Sequence, residues 1–410
     1  MRIGSFARRI SWGAFALSAI GCGSSDSTRS TTQTVDRTSE GETIEFFSAL
    51  NQPGDVEALQ ALVDVHQRRH PGDQVINTAV SFMELSLLDE RIAAGNPPDV
   101  FMTVSHVLPT YLPLYPLDEF LASESQAGVE ENTYSELLAE TTIDGKICAL
   151  PWGVTRNNAL FYNKHVFREH KLSPPTTISE LLTVCQTLNA AGVTPAGATS
   201  LAFAFPSLLA GAMGTEAFYS FETGGVPDET ELGNAIDVVA EVLESCFDPH
   251  TLLEPDMSDY EETSALMSGE TAMFFNGDWT SGALQQLGWT PGIDYGILAA
   301  PGTEGLFVYM SMVLAIPAGA PHIQGALNFL DSVGSVEGHI AFDTLKDGTA
   351  ARKDMDLSVF DSERRGVIED MIEAEYRVAS TRDWDTLAYG FMQSKPHDKE
   401  ALLQALTATP

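Results

Sequence analysis

Basic residues are scarce in this chain. Twenty-two Lys and Arg stand against 57 Asp and Glu in 410 residues, a net charge of −35. A surface this acidic repels nucleic acid and anionic lipid, both of which are held by clusters of Lys and Arg. Several catalytic signatures are missing as well. There is no G-x-x-x-x-G-K-[ST] phosphate loop, because Gly145-Lys146 lacks the upstream glycine and the following Ser or Thr. There is no H-E-x-x-H and no G-x-S-x-G. Nine histidines are scattered, and His66 with His70 is the only i,i+4 pair. The pair reads as the solvated end of a helix, HQRRHPG, because no third ligand stands beside it in sequence. Acidic residues are too numerous for any two to be singled out as a glycosidase pair. No catalytic residue, metal or cofactor is assigned, and the chain reads as a non-enzyme.

Cysteines number four, at Cys22, Cys148, Cys185 and Cys246, without a C-x-x-C spacing. One disulfide plus a buried thiol, and three free thiols, both fit the last three. Long apolar runs are absent too. The longest near the start, Ser11–Gly21, is shorter than the roughly 20 residues that span a bilayer. It follows Arg2, Arg8 and Arg9, so residues 1–21 read as a secretory signal peptide. The zone Ala19-Ile20-Gly21-Cys22 resembles a bacterial lipobox, in which Cys22 becomes the lipidated first residue and anchors the protein to a membrane. Removing the signal leaves 19 basic residues against 57 acidic ones, a charge of −38. Residues 22–40, Ser/Thr-rich and without apolar periodicity, read as a disordered tether.

An apolar fraction of 44% over this length predicts a globular protein of two domains. TIEFFSAL reads as a strand. DVEALQALVDVHQRRHPG reads as a helix with Val56, Leu59, Leu62, Val63 and His66 on its apolar face, Asp55 as N-cap and Pro71-Gly72 as its stop. DQVINTAV, the helix FMELSLLDERIAAG with Gly95 as C-cap, and PPDVFMTV complete a β-α-β-α-β alternation, which implies a parallel sheet covered by helices. A second cycle starts at Gly145. NNALFYNK alternates as a half-buried strand would. The helix after Pro174-Pro175 has Thr177 as N-cap, Glu180 three residues on and Gly192 at its end. ELGNAIDVVAEVLESC is a further helix, FVYMSMVLAIP a long apolar strand, and IQGALNFLDSVGSVEGHIAF two helices. Two α/β lobes follow, with the chain crossing between them near Trp152 and Phe307.

In FFNGDW (Phe274–Trp279) an apolar strand ends in an amide, a glycine, a carboxylate and an indole. Asn276-Gly277 suits a turn by itself. A carboxylate beside a flat ring is also what a sugar pocket uses.

In order, AAGNPPDVF, DGKICALPWGVTRNNALFYNKHVF, PPTTISELL, LMSGETAMFFNGDW, PGIDYGILAAPGTEGLFVYMS, AIPAGAP and SVEGHIAFDTLKDGTAARKD resemble the family-1 extracellular solute-binding proteins of bacterial ABC importers, the maltose-binding-protein-like group, and within it the glucose/mannose-type binders. The resemblance covers residues 42–400. It implies a type II periplasmic-binding-protein fold of the α/β class, two lobes with the ligand in the cleft between them. The N-terminal lobe would comprise 41–153 plus 307–345, and the C-terminal lobe 154–306 plus 346–410. It implies a monomeric extracytoplasmic lipoprotein that binds a sugar, a monosaccharide such as glucose or mannose, and delivers it to the importer's permease by hinge closure. Asp278 would accept hydrogen bonds from sugar hydroxyls, and Trp279 would stack on the ring or pack behind the loop. Trp152, Arg156 and Asn158 would enter the cleft from the PWGVTRNN segment, Lys346 from FDTLKDGTAAR, and Tyr309 and His106 from strand ends. The chain departs from the family in two places. Thr155 stands where a histidine is usual, and Ser48-Ala49 where adjacent tryptophans are. These departures keep open a diverged receptor with a degenerate or non-sugar pocket. An anchored glycoside hydrolase is the remaining alternative.

Overall fold

Apolar runs and glycine-marked turns generate thirteen strands among the described residues: β1 (Thr43–Ser48), β2 (Gln74–Ala79), β3 (Val100–Val104), β4 (Thr142–Ile143), β5 (Lys146–Ile147), β6 (Ala149–Arg156), β7 (Ala159–Asn163), β8 (Thr194–Ala198), β9 (Thr271–Asn276), β10 (Tyr295–Ala299), β11 (Leu306–Ala315), β12 (Thr349–Ala350) and β13 (Tyr376–Ala379). The structure, a computed structural model, describes residues 41–407 apart from 52–53, 82–83, 85, 249–258, 347 and 395–396. Residues 1–40, read above as signal peptide, lipidated Cys22 and tether, lie outside the described residues.

The strands form two sheets and a small β4–β5 hairpin. The larger sheet runs β12-β6-β11-β3-β1-β2, with β13 also on β11, and the smaller runs β10-β7-β9-β8. β1 pairs in parallel with β2 and β3, as the β-α-β-α-β reading predicts. Both sheets are nevertheless mixed. β11 runs antiparallel between β3 and β6, and β7 antiparallel between β10 and β9. Strand β7 is therefore central, and all of it but Tyr162 is buried, where the alternation predicts a half-buried strand. Helices Asp55–Arg69 and Ile323–Val333 cover the larger sheet over a core that includes Phe46, Leu62, Val100, Leu314 and Phe329. Helices Ile178–Ala191, Leu201–Met213, Glu229–Cys246 and Trp384–Gln393 surround the smaller sheet over a second core. No described helix is long and apolar enough to cross a membrane.

Several local readings need correction. Gly54, not Asp55, caps the first helix. Its N–H donates to Glu57 Oε2 (2.6 Å), which frees the Asp55 carboxylate for a tertiary contact. The buried face of that helix is Ala58, Leu59, Leu62, Val65 and His66, and Val56 is 55% exposed. His66 is not solvated. Its ring lies buried against Phe329, with Nδ1 2.9 Å from Ser332 Oγ, and burial pulls its imidazole down to about 4. His70 meets Asp331 at 2.9 Å instead of sharing a ligand with His66. The second helix begins only at Leu87 and is capped by Ala94, with Gly95 left-handed one position later. The helix Ile178–Ala191 starts and stops as predicted. Thr177 Oγ1 accepts from Glu180 N (3.2 Å), and Gly192 ends the helix at φ 78°. Of the two cysteine readings, the structure has the disulfide, Cys185–Cys246, and leaves Cys148 a buried thiol.

Candidate functional site

Two chain crossings connect the sheets, from β6 to β7 at Asn157-Asn158 and from β10 to β11 across 300–305. Asn158 ties them together. Its Nδ2 donates to Thr303 Oγ1 and to the Leu306 carbonyl, both at 3.0 Å, and its Oδ1 accepts from Val308 N (3.1 Å) and Arg156 Nε (3.2 Å). Backbone bonds from Asn157 N to Val308 O (2.8 Å) and from Ala300 N to Asn158 O (2.9 Å) run beside it. The amide has two donors and two lone pairs, and all four are used. Arg156, 2% exposed, ion-pairs with Asp370 and lies 5.0 Å over the Phe307 ring. Tyr309, opposite Arg156 in register, donates its hydroxyl to Glu140, which also accepts from Ser105 Oγ at 2.7 Å. Burial raises both the Tyr309 phenol and the Glu140 carboxyl, and the adjacent Glu140 charge lifts the phenol further. Arg156, Asn158 and Tyr309 thus converge on the crossings and are held by internal partners.

Trp152 stands on β6, ahead of the first crossing. The register of β6 on β11 passes from Gly153 opposite Met312 to Pro151 opposite Val313, so Trp152 is the extra residue of a bulge. A bulge re-aims its side chain. The indole packs on Phe342 (centroids 4.4 Å) and Phe46 (6.2 Å). Its Nε1 is buried with no hydrogen-bond partner among the described residues.

Strand β9 delivers Asp278. The Asp278 N–H donates to the Arg156 carbonyl (3.1 Å), which fixes the turn against the first crossing. The residue is 4% exposed and faces a cavity of about 10 Å³ together with Ser281, Ile297, Gly348, Thr349, Arg364 and Val367. That is room for about one water. Thr349 Oγ1 is buried there with no hydrogen-bond partner among the described residues. Trp279 folds back over the turn. A Cβ on Gly277 would lie 1.8 Å from Trp279 Cζ3, so only glycine admits the ring, which packs on Phe203 in a T-shaped contact with centroids 5.3 Å apart.

Lys346 ion-pairs with Asp55, the carboxylate released from the capping role. Near it opens a larger cavity of about 560 Å³, within the roughly 300–1,000 Å³ of ligand pockets. Gly54 and Glu57 line one side, Gly282, Gln285 and Gln286 another, and Thr344, Leu345, Val359, Phe360, Asp361 and Arg364 the rest. Arg364, 6% exposed, borders both cavities. His106 is exposed on the turn Ser105–Tyr111 after β3. Asp278, Arg156, Asn158 and Tyr309 are therefore brought together, Trp152 and Lys346 both meet Phe342, and His106 follows Ser105, which shares the Glu140 carboxylate with Tyr309.

Sequence reasoning overlooked Arg364 and Thr349. Thr349 is three residues from Lys346 within a stretch already singled out. Arg364 had no local signal, because in SERRGVIEDMIE it reads as an ordinary helix cation.

Known proteins resemble the chain along most of its length. An uncharacterized ABC transporter extracellular-binding protein of Pyrococcus horikoshii is 24% identical over 89% of this chain and 84% of its own length. A xylose/arabinose-binding protein of Haloferax volcanii is 24% identical over 78% of this chain and 72% of its own. The fold matches that of a solved protein described with xylan utilization by Caldanaerobius polysaccharolyticus, with a TM-score of 0.75 at 17% identity over 89% of this chain and 99% of that one. The description of the bacterial extracellular solute-binding proteins matches residues 51–340. With that match over most of the chain and the two-lobe architecture, the chain belongs to the bacterial extracellular solute-binding protein family.

Proposed function

We propose that the protein is a lipid-anchored extracytoplasmic receptor that binds a neutral sugar between its lobes and hands it to the permease of an ABC importer. The observation that carries this reading is the set of buried polar groups at the lobe junction. Asp278, Thr349 and Arg364 share one cavity, and the Thr349 hydroxyl and the Trp152 indole N–H are buried without hydrogen-bond partners among the described residues. A buried polar group without a partner costs about 1–3 kcal/mol. Sugar hydroxyls both donate and accept, and the cavity of about 560 Å³ that Arg364 also lines has the room for a ring that the one-water cavity beside Asp278 lacks. The xylose/arabinose-binding relative supports a sugar as the ligand class. A monosaccharide such as glucose or mannose is the first candidate.

In this reading the lobes are 41–153 plus 307–345 and 154–306 plus 346–410, and the protein acts as a monomer without enzymatic activity. Ligand contacts made to both lobes favour the closed state, and the population shifts toward it. Cys22 carries the lipid. A second reading, a diverged receptor with another ligand, is favoured by one observation. Ser48, at the place of the expected tryptophan platform, is fully buried and spends its hydroxyl on Asn77 (2.7 Å).

The test is thermal unfolding of residues 41–410 with a panel of neutral mono- and disaccharides, for the parent and for Asp278→Ala. A sugar at 100 times its Kd adds about 2.7 kcal/mol. A shift of several degrees in the parent that vanishes in the variant is expected. No shift with any sugar would leave the diverged receptor as the better reading.

A further inference from the structure

We propose that Glu363 and Arg364 are positioning residues of this site, which hold one helix to both sheets and thereby set the angle between the sheets. The proposal adds residues to the lobe-closure reading above and rests on it only for the motion. The helix Ser362–Glu373 starts at Asp361, whose carboxylate accepts from the N–H groups of Glu363 and Arg364, both at 3.0 Å. Neighbouring residues on a helix do not face the same way. Glu363 points to the smaller sheet. Its Oε2 accepts from Ile297 N (2.9 Å) on the edge strand β10, and its Oε1 lies 3.5 Å from Lys164 Nζ. Lys164 also donates to the Gly292 carbonyl (2.8 Å) in the loop before β10.

Arg364 points the other way. Its Nη2 donates to the carbonyls of Lys346 (2.7 Å) and Gly348 (2.6 Å), in the segment that leads into β12 of the larger sheet. Farther along, Asp370 takes Arg156, and Val367 and Met371 pack with Val154, Phe307 and Tyr309 at the crossings. Two consecutive residues on one rigid turn therefore grip two different sheets. A rotation of one sheet against the other has to break the Glu363 set or the Arg364 set. Arg364 borders both cavities while Glu363 borders neither, so Glu363 acts on the site through the helix that carries Arg364.

The experiment needs no sugar, so its outcome is independent of whether the ligand reading stands. Spin labels at Gln67→Cys and Glu241→Cys, exposed positions on helices over the two sheets, report the interlobe distance by pulsed EPR in residues 41–410. Glu363→Gln is compared with the parent and with Glu363→Asp. Lys164→Met, which removes the ion-pair partner and leaves the helix intact, serves if Glu363→Gln does not fold. A longer-distance population in Glu363→Gln or Lys164→Met, reduced in Glu363→Asp, is expected. Distance distributions that superimpose on the parent's in every variant that folds would overturn the proposal and leave these contacts a purely structural role, visible only as a lower Tm.

Discussion

Opening the Cys185–Cys246 disulfide should cost the folded protein about 4 kcal/mol, and the estimate follows from its position. The bridge joins the middle of helix Ile178–Ala191 to the last residue of helix Glu229–Cys246, 61 residues apart in sequence. Closing a loop of that length removes chain entropy from the unfolded state worth about 4 kcal/mol at room temperature in the chain-entropy account. Both cysteines are buried in the core of the smaller sheet, so the bridge joins elements already packed together. Unfolding entropy scales with chain length, so for a folded unit the size of Glu40–Pro410 this loss corresponds to a Tm drop of about 5 °C. The assay is calorimetry on residues 41–410, oxidised, reduced, and as Cys185→Ala/Cys246→Ala. Thiol titration in denaturant should find one reactive group, Cys148, in the oxidised protein. Three thiols in protein collected from an oxidising compartment, or a Tm unchanged by reductant, would refute the reasoning.

Acid should weaken the fold through His66. Its imidazole titrates near 4 in the folded chain against an ordinary value of 6.5, chiefly through burial and then through His70, while Asp73 and Asp331 oppose the shift. The unfolded chain takes up the proton first. Stability is therefore full above pH 6.5 and falls as pH drops toward 4, by about 3 kcal/mol at most. Urea unfolding from pH 7 to 4 checks this, and His66→Gln should flatten the profile over that window. Gly277→Ala forces the Trp279 indole off the turn, since the added methyl would sit 1.8 Å from the ring. A cost of about 1–3 kcal/mol from overpacking, with an altered near-UV circular dichroism spectrum, is the expected result. An unchanged spectrum would show that the ring does not lie over Gly277.

Much of the architecture was legible because it is written in local patterns. The Thr177 cap after Pro174-Pro175 marked its helix to the residue, since Thr177 Oγ1 accepts from Glu180 N within one turn. The β-α-β-α-β alternation announced the parallel core of β1, β2 and β3. Legibility failed where distant groups decide the outcome. HQRRHPG looks solvated on its own helix, and only Phe329 and Ser332, more than 260 residues away, bury His66. Asp55 looks like a cap until Lys346 arrives to take its carboxylate. Arg364 carries no local mark, because its importance comes from the two carbonyls and two cavities that folding places around it.

What the sequence by itself determined is the class of the protein: the two α/β cycles, the acidic composition and the order of motifs that resembles a family of binding proteins. Each of these depends on periodicity, composition or short-range spacing, and needs no knowledge of what touches what. The tertiary structure alone decided which partners each polar residue meets and which residues line a cavity. Asn158, Arg156 and Tyr309 turned out to be committed to the crossings, while Asp278, Thr349 and Arg364 meet at the junction of the lobes. A hydrogen bond has a reach of about 3 Å, and nothing in the order of residues says which of two distant side chains will fall within it.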